Sequence, residues 1–345
     1  MKDNTIKNST MKNNASNPSI IQALQAQAQQ LLPVITQSLL AENYREIIHQ
    51  RLSQQSGGSE LDYQGLTRAQ HRRFGQVMIK WALTNHNLVR CQQSNILSLN
   101  HEITVLKFLN SIQQNQPCID AIAPSIWAHH CLDIQILEEN WQLTILTMPY
   151  YCNHSLATQL KPQQHLLLTN RQKHHFITKS ASLIAHLHKA GWLHNDIKPS
   201  NILLEDSLPN NTDNSGITFN LLLTDFALAK HIYAAETFYH PAGTPAYFAP
   251  ERWQGQGATV QSDIYAFGVM MYELLMGERP FKINIKTSEP LKDWATQHCQ
   301  QPIPKLPEEY NHYQHIIDKA LAKLMETRYK NMDEVLRDLE SLGSR

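Results

Sequence analysis

The chain has 345 residues, of which 42% are hydrophobic, so it can form one large domain with a short extension or two small domains. Its 30 basic and 30 acidic side chains balance, and this argues against nucleic acid or an acidic membrane as a partner. The cysteines are odd in number and scattered, without a Cys-x-x-Cys pair, which predicts reduced thiols in a cytoplasmic protein. They are Cys91, Cys118, Cys131, Cys152 and Cys299.

The N-terminal region differs in composition from the rest of the chain. Residues 1–17 are rich in Asn, Ser and Lys, which predicts a disordered tail, and they lack the apolar segment of a secretory signal. In residues 21–35 apolar side chains recur at helical spacing, with Pro33 breaking or kinking the run. We therefore expect a helical extension over 18–43, which either packs on its own domain, as the pattern favours, or pairs with another copy. The oligomeric state stays open.

From residue 44 the pattern becomes that of strands. Alternating apolar residues and turn signals predict strands near 46–52, 61–67, 77–81, 132–137 and 141–148. Between the third and fourth strands, helical spacing places Glu102, Leu106 and Leu109 on one face of a helix. Beyond Cys152 the chain is mostly helical, apart from short strands on either side of a polar loop at 206–216, which we expect to be disordered. This order predicts an α+β fold.

The longest apolar helical stretch, residues 264–276, is interrupted by Glu273. It is shorter than the roughly 20 residues that a membrane-spanning helix needs. We therefore expect a soluble protein without a membrane anchor.

The most informative segment covers residues 194–201, His-Asn-Asp-Ile-Lys-Pro-Ser-Asn. It brings the carboxylate of Asp196, the ammonium of Lys198 and the amide of Asn201 into one short loop. Phosphoryl transfer needs a carboxylate that accepts a hydroxyl proton, a cation that neutralises phosphate charge and an oxygen ligand for Mg²⁺. Asp225 follows at the distance at which a second metal ligand is expected. The alternative, a polar turn between two helices, does not explain this combination.

This segment resembles the catalytic loop of protein kinases. The likeness extends to residues 243–251, Gly-Thr-Pro-Ala-Tyr-Phe-Ala-Pro-Glu, and covers about 44–342. Lys198 and the Gly-Thr-Pro-Ala-Tyr run are similar to those of serine/threonine kinases, and residues 316–328 resemble the bacterial branch. The resemblance implies a two-lobed kinase domain over 44–345. It would have an antiparallel β-sheet N-lobe with one regulatory helix at 44–149 and a mainly helical C-lobe at 150–345.

The resemblance also implies the chemistry and the substrates. The chain would transfer the γ-phosphoryl group of ATP to serine or threonine hydroxyls of proteins, with itself as one candidate substrate. Asp196 would act as the base, and Lys198 would stabilise charge on the γ-phosphoryl group. Asn201 and Asp225 would hold Mg²⁺.

A second set of residues is expected around ATP. Lys80, in the strand sequence Val-Met-Ile-Lys, would hold the α- and β-phosphates, and Glu102 would pair with it. Gly57 and Gly58 are what remains of a glycine-rich phosphate loop. The implied adenine contacts are Leu61 as the roof, Met148 as the gatekeeper, the Pro149 carbonyl and the Tyr151 amide as hydrogen-bond partners, and Leu203 as the floor.

The resemblance implies supporting contacts as well. Glu251 would pair with Arg328, and Thr244 would help to hold the carboxylate and ammonium of the catalytic loop. Asp263, at the start of a buried helix, would bond to the backbone of that loop, because a buried carboxylate needs donors.

The chain departs from the family at several positions. Asn195 replaces the arginine through which a phosphorylated activation loop orders the site, so we expect activity that does not depend on such phosphorylation. Ala227 replaces the glycine of Asp-Phe-Gly and should restrict the backbone. Met78 replaces the alanine that usually lines the adenine pocket, and Ser200 stands where basophilic kinases often carry glutamate.

Two alternatives to an active protein kinase therefore stay open. A pseudokinase or scaffold that signals through the N-terminal extension is favoured by the poor glycine loop, Met78 and Ala227. A kinase of antibiotics or sugars is disfavoured by the Ala-Pro-Glu segment, which such enzymes lack.

Overall fold

The computed structural model describes residues 18–55, 62–85, 99–115, 120–136, 139–205, 220–234, 242–284 and 287–343. These described residues divide into two compact units, one within residues 1–111 and 124–150 and the other within residues 112–123 and 151–345. The predicted tail at 1–17, the predicted loop at 206–216, and Gly57, Gly58 and Leu61 lie outside the described residues. The predicted domain limits at 17, 43 and 149 stay predictions.

The first unit is built on a five-stranded antiparallel sheet with the strand order β1-β2-β3-β5-β4. Its elements are α1 (Pro18–Ala41), β1 (Tyr44–Gln55), β2 (Asp62–His71), β3 (Gly75–Asn85), α2 (Leu99–Asn115), β4 (Ala128–Ile136) and β5 (Glu139–Pro149). The residues of α2 from Ile112 on belong to the second unit. The five predicted strands are present. Several are longer than predicted, because polar residues such as those at 68–71 continue the β2–β3 ladder without an apolar signal.

Helix α1 covers one face of this sheet. Leu31, Ile35 and Leu39 are buried in the same core as Ile79 and Trp81 of β3. The helix continues through position 33 rather than ending there. The prediction that this segment packs on its own domain is confirmed.

Helix α2 carries the predicted inward face. Glu102, Leu106 and Leu109 are all buried, at the spacing of successive helical turns. Glu102 lies in the first turn of the helix, where the helix dipole favours a negative charge.

The second unit is mainly helical, with two short antiparallel strand pairs, β6 with β9 and β7 with β8. Its elements are α3 (Leu156–Gln159), α4 (Pro162–His165), α5 (Asn170–Lys189), β6 (Trp192–Leu193), β7 (Ile202–Glu205), β8 (Asn220–Leu223), β9 (Lys230–His231), α6 (Pro250–Trp253), α7 (Val260–Met276), α8 (Pro290–Gln300), α9 (Gln314–Ala320) and α10 (Met332–Gly343). The pair β6–β9 was not predicted, because strands of two residues carry no periodicity.

Helix α7 forms the core of the second unit, and most of its residues are buried. It begins with a capping box between Thr259 and Ser262 and ends at Gly277, whose φ of 75° is a conformation that glycine adopts easily. A Cβ at Gly268 would lie 2.9 Å from side-chain atoms of both Ala320 and Leu321, so α9 approaches α7 closely at this point. The start of α7 supports the loop between β6 and β7 through Asp263.

Candidate active site

Lys80 and Glu102 form an ion pair inside the first unit. Their Nζ and Oε2 atoms are 2.5 Å apart, and the two side chains are 15% and 1% exposed. A carboxylate as buried as Glu102 needs a charged or hydrogen-bonding partner, and Lys80 supplies one. The predicted pair of strand lysine and helix glutamate is confirmed as a contact.

Asp196 lies in the loop between β6 and β7, and donors surround its carboxylate. Oδ1 accepts hydrogen bonds from the backbone N of Thr244 at 3.0 Å and from its hydroxyl at 2.7 Å. Oδ2 accepts from Asn201 Nδ2 at 3.1 Å and from the ammonium of Lys198. These donors fix the orientation of the carboxylate.

Thr244 connects the two charged groups of the loop. Its hydroxyl accepts a hydrogen bond of 2.7 Å from Lys198 Nζ while it donates to Asp196. The prediction that Thr244 helps to hold the carboxylate and the ammonium is confirmed.

Asp263, near the start of α7, binds the backbone of the loop between β6 and β7. Its carboxylate accepts hydrogen bonds from the backbone N of His194 at 2.8 Å, the backbone N of Asn195 at 3.0 Å and His188 Nε2 at 3.0 Å. Burial alone would raise the pKa of Asp263, but the bonds from His188 and the backbone outweigh burial and lower it. The predicted bond between this aspartate and the loop backbone is confirmed.

His194 packs the loop against the segment that carries Asp225. Its ring lies 5.1 Å from that of Phe226, and its Nε2 lies 3.1 Å from the carbonyl of Thr224. Burial lowers the pKa of His194, so the ring is neutral and its Nε2–H donates to that carbonyl. Its Nδ1 accepts from the backbone N of Asp196 at 3.3 Å.

The oxygen ligands predicted for Mg²⁺ are the side chains of Asn201 and Asp225. Asn201 Nδ2 donates to the backbone O and to Oδ2 of Asp196, so its amide oxygen is turned away from these acceptors. The backbone N of Thr224, the neighbour of Asp225, donates to the carbonyl of Asn201 at 3.0 Å. An amide oxygen and a carboxylate are hard donors, so the residues fit this cation.

The predicted adenine contacts fall in both units. Met148, which is buried, and Pro149 end β5, where they pair in register with Met78 and Val77 of β3. In the second unit, Leu203 forms a bridge with Ser155, and burial together with Glu205 raises the pKa of the Tyr151 phenol. Their contacts with adenine stay a prediction.

A family model of the protein kinase domain matches residues 129–338, which is more than half of the chain. The chain belongs to the protein kinase family. Asp196, Lys198, Asn201 and Asp225 of this kinase lie within the matched residues, whereas Lys80 and Glu102 precede them. The α+β kinase fold predicted from the sequence is confirmed.

Similar curated proteins include bacterial serine/threonine kinases. The kinase is 32% identical over 189 residues to the probable serine/threonine-protein kinase PknB of Lactococcus lactis, which covers 52% of this chain and 27% of that protein. It is 34% identical over 165 residues to serine/threonine-protein kinase PrkC of Bacillus subtilis, covering 46% and 23%. A putative serine/threonine-protein kinase of Acanthamoeba polyphaga mimivirus, R517/R518, is 28% identical over 265 residues, covering 72% and 56%.

The kinase chain therefore spans between about a quarter and just over half of the length of these relatives. Among the described residues, no helix is both long enough and apolar enough to cross a bilayer.

The kinase segment that ends in Ala-Pro-Glu is fixed by a buried ion pair. Arg328 Nη1 and Nη2 donate to the two carboxylate oxygens of Glu251 at 2.8 and 2.7 Å. Burial alone would raise the pKa of Glu251, but Arg328 and the Ser262 hydroxyl outweigh burial and lower it. The predicted pair of Glu251 and Arg328 is confirmed as a contact.

Sequence reasoning missed two supports of the kinase loop. His188 of α5 bonds to Asp263 although the two residues are 75 positions apart, and no local pattern signals this contact. Asn195 has a φ of 65°, and its Nδ2 donates to the carbonyl of Leu228 at 2.8 Å. Asparagine tolerates this left-handed conformation better than most residues, so its occurrence at this position was a usable signal.

Proposed function

We propose that this chain is an active serine/threonine protein kinase that transfers the γ-phosphoryl group of ATP to protein hydroxyls. The observation that carries the proposal is the arrangement around Asp196. One oxygen of its carboxylate is held by Thr244, and the other is held by Asn201 and Lys198. A scaffold without catalysis has no need to orient a carboxylate and an ammonium so closely.

In the proposed reaction, Asp196 orients the substrate hydroxyl and accepts its proton as the oxygen attacks phosphorus. Lys198 lies beside that carboxylate, and its positive charge stabilises the negative charge on the γ-phosphoryl group. Asn201 and Asp225 would bind Mg²⁺, which neutralises charge on the β- and γ-phosphates when it is bound.

Lys80 and Glu102 are assigned to the same ATP. The ammonium of Lys80 would bind the α- and β-phosphates, and the buried carboxylate of Glu102 would keep it in place. The adenine is assigned to Met148, the Pro149 carbonyl, the Tyr151 amide and Leu203, with Leu61 above it, and the phosphates also to the backbone at Gly57 and Gly58.

The choice of serine and threonine hydroxyls is supported by Lys198, by the Gly-Thr-Pro-Ala-Tyr run and by the similarity to serine/threonine-protein kinases. Protein substrates are proposed from the same comparison, with the chain itself as one candidate.

The second candidate is a pseudokinase that keeps the fold as a scaffold. The register pairing of Met78 with Met148 favours it, because two methionines side by side would narrow an adenine pocket. Ala227 does not favour it, since Ala227 lies in a short 3₁₀ turn from Phe226 to Leu228 that accepts a Cβ.

Incubation of the full chain with ATP labelled at the γ-phosphate separates the two candidates. Wild type, Asp196→Ala and Lys80→Met are compared on a generic protein substrate and on the chain itself, and the labelled amino acid is identified. The proposal expects label on serine or threonine with wild type only. Equal incorporation with all three variants would refute it. The absence of label from both the generic substrate and the chain itself, with wild type as the enzyme, would also refute it.

A further inference from the structure

Four side chains form a continuous hydrogen-bonded row from helix α1 to strand β3. The Thr36 hydroxyl lies 2.9 Å from His49 Nε2, and His49 Nδ1 lies 2.8 Å from the Thr67 hydroxyl. Trp81 Nε1 donates to the same Thr67 hydroxyl at 3.0 Å. The row therefore crosses the sheet from α1 through β1 and β2 to β3.

The direction of these bonds follows from the number of protons available. The Thr36 hydroxyl donates its one proton to the carbonyl of Leu32 at 2.8 Å, so it must accept from His49 Nε2–H. In a neutral ring, His49 Nδ1 then accepts a hydrogen bond from the Thr67 hydroxyl. The oxygen of that hydroxyl in turn accepts a hydrogen bond from Trp81 Nε1. In the opposite direction, the proton of the fully buried Thr67 hydroxyl would have no acceptor in the row.

The row therefore requires one state of His49, the neutral ring with its proton on Nε2. Burial lowers the pKa of His49, which agrees with a neutral ring. Charging the ring would turn Nδ1 into a donor, and the proton of the buried Thr67 hydroxyl would then have no acceptor in the row.

The buried side chain of Trp81 restricts the position of strand β3. It is fully buried, and its ring lies against the backbone of its register partner Gly65, where a Cβ would meet the ring at 2.2 Å. Lys80 is the preceding residue and points to the opposite face, where it bonds to Glu102. The position of the Trp81 side chain thus sets the position of the backbone from which Lys80 projects.

We propose that Thr36, His49 and Thr67 are positioning residues for Lys80. Through them, helix α1 contributes to the affinity of the site for ATP. Leu31, Ile35 and Leu39 hold α1 on the sheet, and the polar row transmits the position of the helix to β3. The proposal rests on the proposed role of Lys80 in binding ATP.

The protonation state is tested on wild type alone. Long-range ¹H–¹⁵N correlation spectra of the full chain at pH 7.5 should show His49 protonated at Nε2 only. The indole N–H of Trp81, identified by its loss in Trp81→Phe, should be hydrogen bonded and protected from exchange. A His49 ring that is protonated at Nδ1 would overturn the proposal.

The coupling to Lys80 is tested with matched hydroxyl deletions on α1. Thr36→Val removes the contact with His49 and Thr36→Ser retains it. Ser38→Ala is the control, because the Ser38 hydroxyl bonds to the carbonyl of Val34 in the same i−4 geometry and outside the row. We expect Thr36→Val to weaken ATP binding, measured by calorimetry, about threefold to tenfold, as the loss of one partly buried hydrogen bond implies. The Trp81 indole resonance should shift as well.

Thr36→Ser should restore both properties, and Ser38→Ala should match wild type. Equal ATP affinity in Thr36→Val and Ser38→Ala would overturn the proposal. If Thr36→Val does not fold, His49→Gln replaces it, and wild-type affinity in that variant would overturn the proposal equally.

These measurements need no turnover. A chain that binds ATP but transfers no phosphate would refute the proposed function and leave this test intact. A chain that binds no ATP would refute both.

Discussion

The hydroxyl of Thr244 donates a hydrogen bond of 2.7 Å to Oδ1 of Asp196. The backbone N of Thr244 donates to the same oxygen at 3.0 Å, and the ammonium of Lys198 donates to the Thr244 hydroxyl at 2.7 Å. One residue, 48 positions from the carboxylate, therefore sets the direction of both charged groups of the loop. Thr244 is therefore the residue at which substitution tests most directly whether the orientation of Asp196 and Lys198 matters for the proposed reaction.

Thr244→Val should lower kcat, because it removes the hydroxyl that bonds to the carboxylate while retaining the shape and the backbone N–H. Hydrogen bonds to charged groups contribute about 1.5–3 kcal/mol, so we expect a loss of about tenfold to a hundredfold. Thr244→Ser retains the hydroxyl and should stay within about threefold of wild type. The measurement is steady-state kinetics at saturating ATP, and equal rates for the two variants would contradict this role.

Removal of phosphate from the purified kinase should have little effect on its activity. Asn195 carries no charge that could pair with a phosphate, and its amide is already bonded to the carbonyl of Leu228. We expect kcat of phosphatase-treated enzyme, and of Thr237→Ala, to stay within about tenfold of the untreated enzyme, less than about 1.4 kcal/mol of barrier. A loss beyond about a hundredfold on phosphatase treatment would contradict the expectation.

Arg328→Met should destabilise the fold strongly, since it leaves the carboxylate of Glu251 buried without its charged partner. The two side chains are 0% and 5% exposed, and breaking such a buried pair costs about 3–5 kcal/mol. Lys292→Met is the control, because its pair with Glu289 is 72% and 62% exposed and should contribute within about 0.5 kcal/mol. Urea denaturation measures both, and a cost for Arg328→Met no larger than for the control would refute the structural role.

Stability should fall as the pH falls below about 6.5. Burial, with a smaller effect of Lys323, lowers the pKa of His298 to about 3. Between that value and about 6.5, the unfolded chain binds a proton at this residue that the folded chain does not bind, so stability is lost with acid at up to about 1.4 kcal/mol per pH unit.

His298→Phe should therefore reduce the pH dependence of the free energy of unfolding between pH 6 and pH 4.5. Tyr265→Phe removes the hydroxyl 3.0 Å from His298 Nδ1 and should lower stability without changing that slope. Denaturation series at four pH values distinguish the two effects. An unchanged slope in His298→Phe would show that this histidine takes up its proton in the folded state.

The local parts of the candidate site were predictable from the sequence. Asp196, Lys198 and Asn201 share one loop, so their types and spacing indicate their chemistry before any fold is known. The helix face that carries Glu102 was predicted from its spacing with Leu106 and Leu109, whereas the pairing of Glu102 with Lys80 came from the resemblance to protein kinases.

The remaining supports depend on contacts between distant segments. His188 of α5 forms a hydrogen bond with Asp263 of α7. His49 of β1 forms hydrogen bonds with Thr36 of α1 and Thr67 of β2. Histidine occurs 18 times in this chain, so no single one stands out by type. The strand pair β6–β9 was missed for a different reason, since two residues are too few for a periodic pattern.

Single-turnover phosphoryl transfer by wild type and by Asp196→Asn tests the central claim most directly. The substitution retains the size of the side chain and removes its ability to accept a proton. We predict a loss of about 10²–10⁴-fold in the transfer rate, with ATP affinity nearly unchanged. Asp333→Asn, an exposed position paired with Lys189, should match wild type. A rate for Asp196→Asn within about tenfold of wild type would contradict the account.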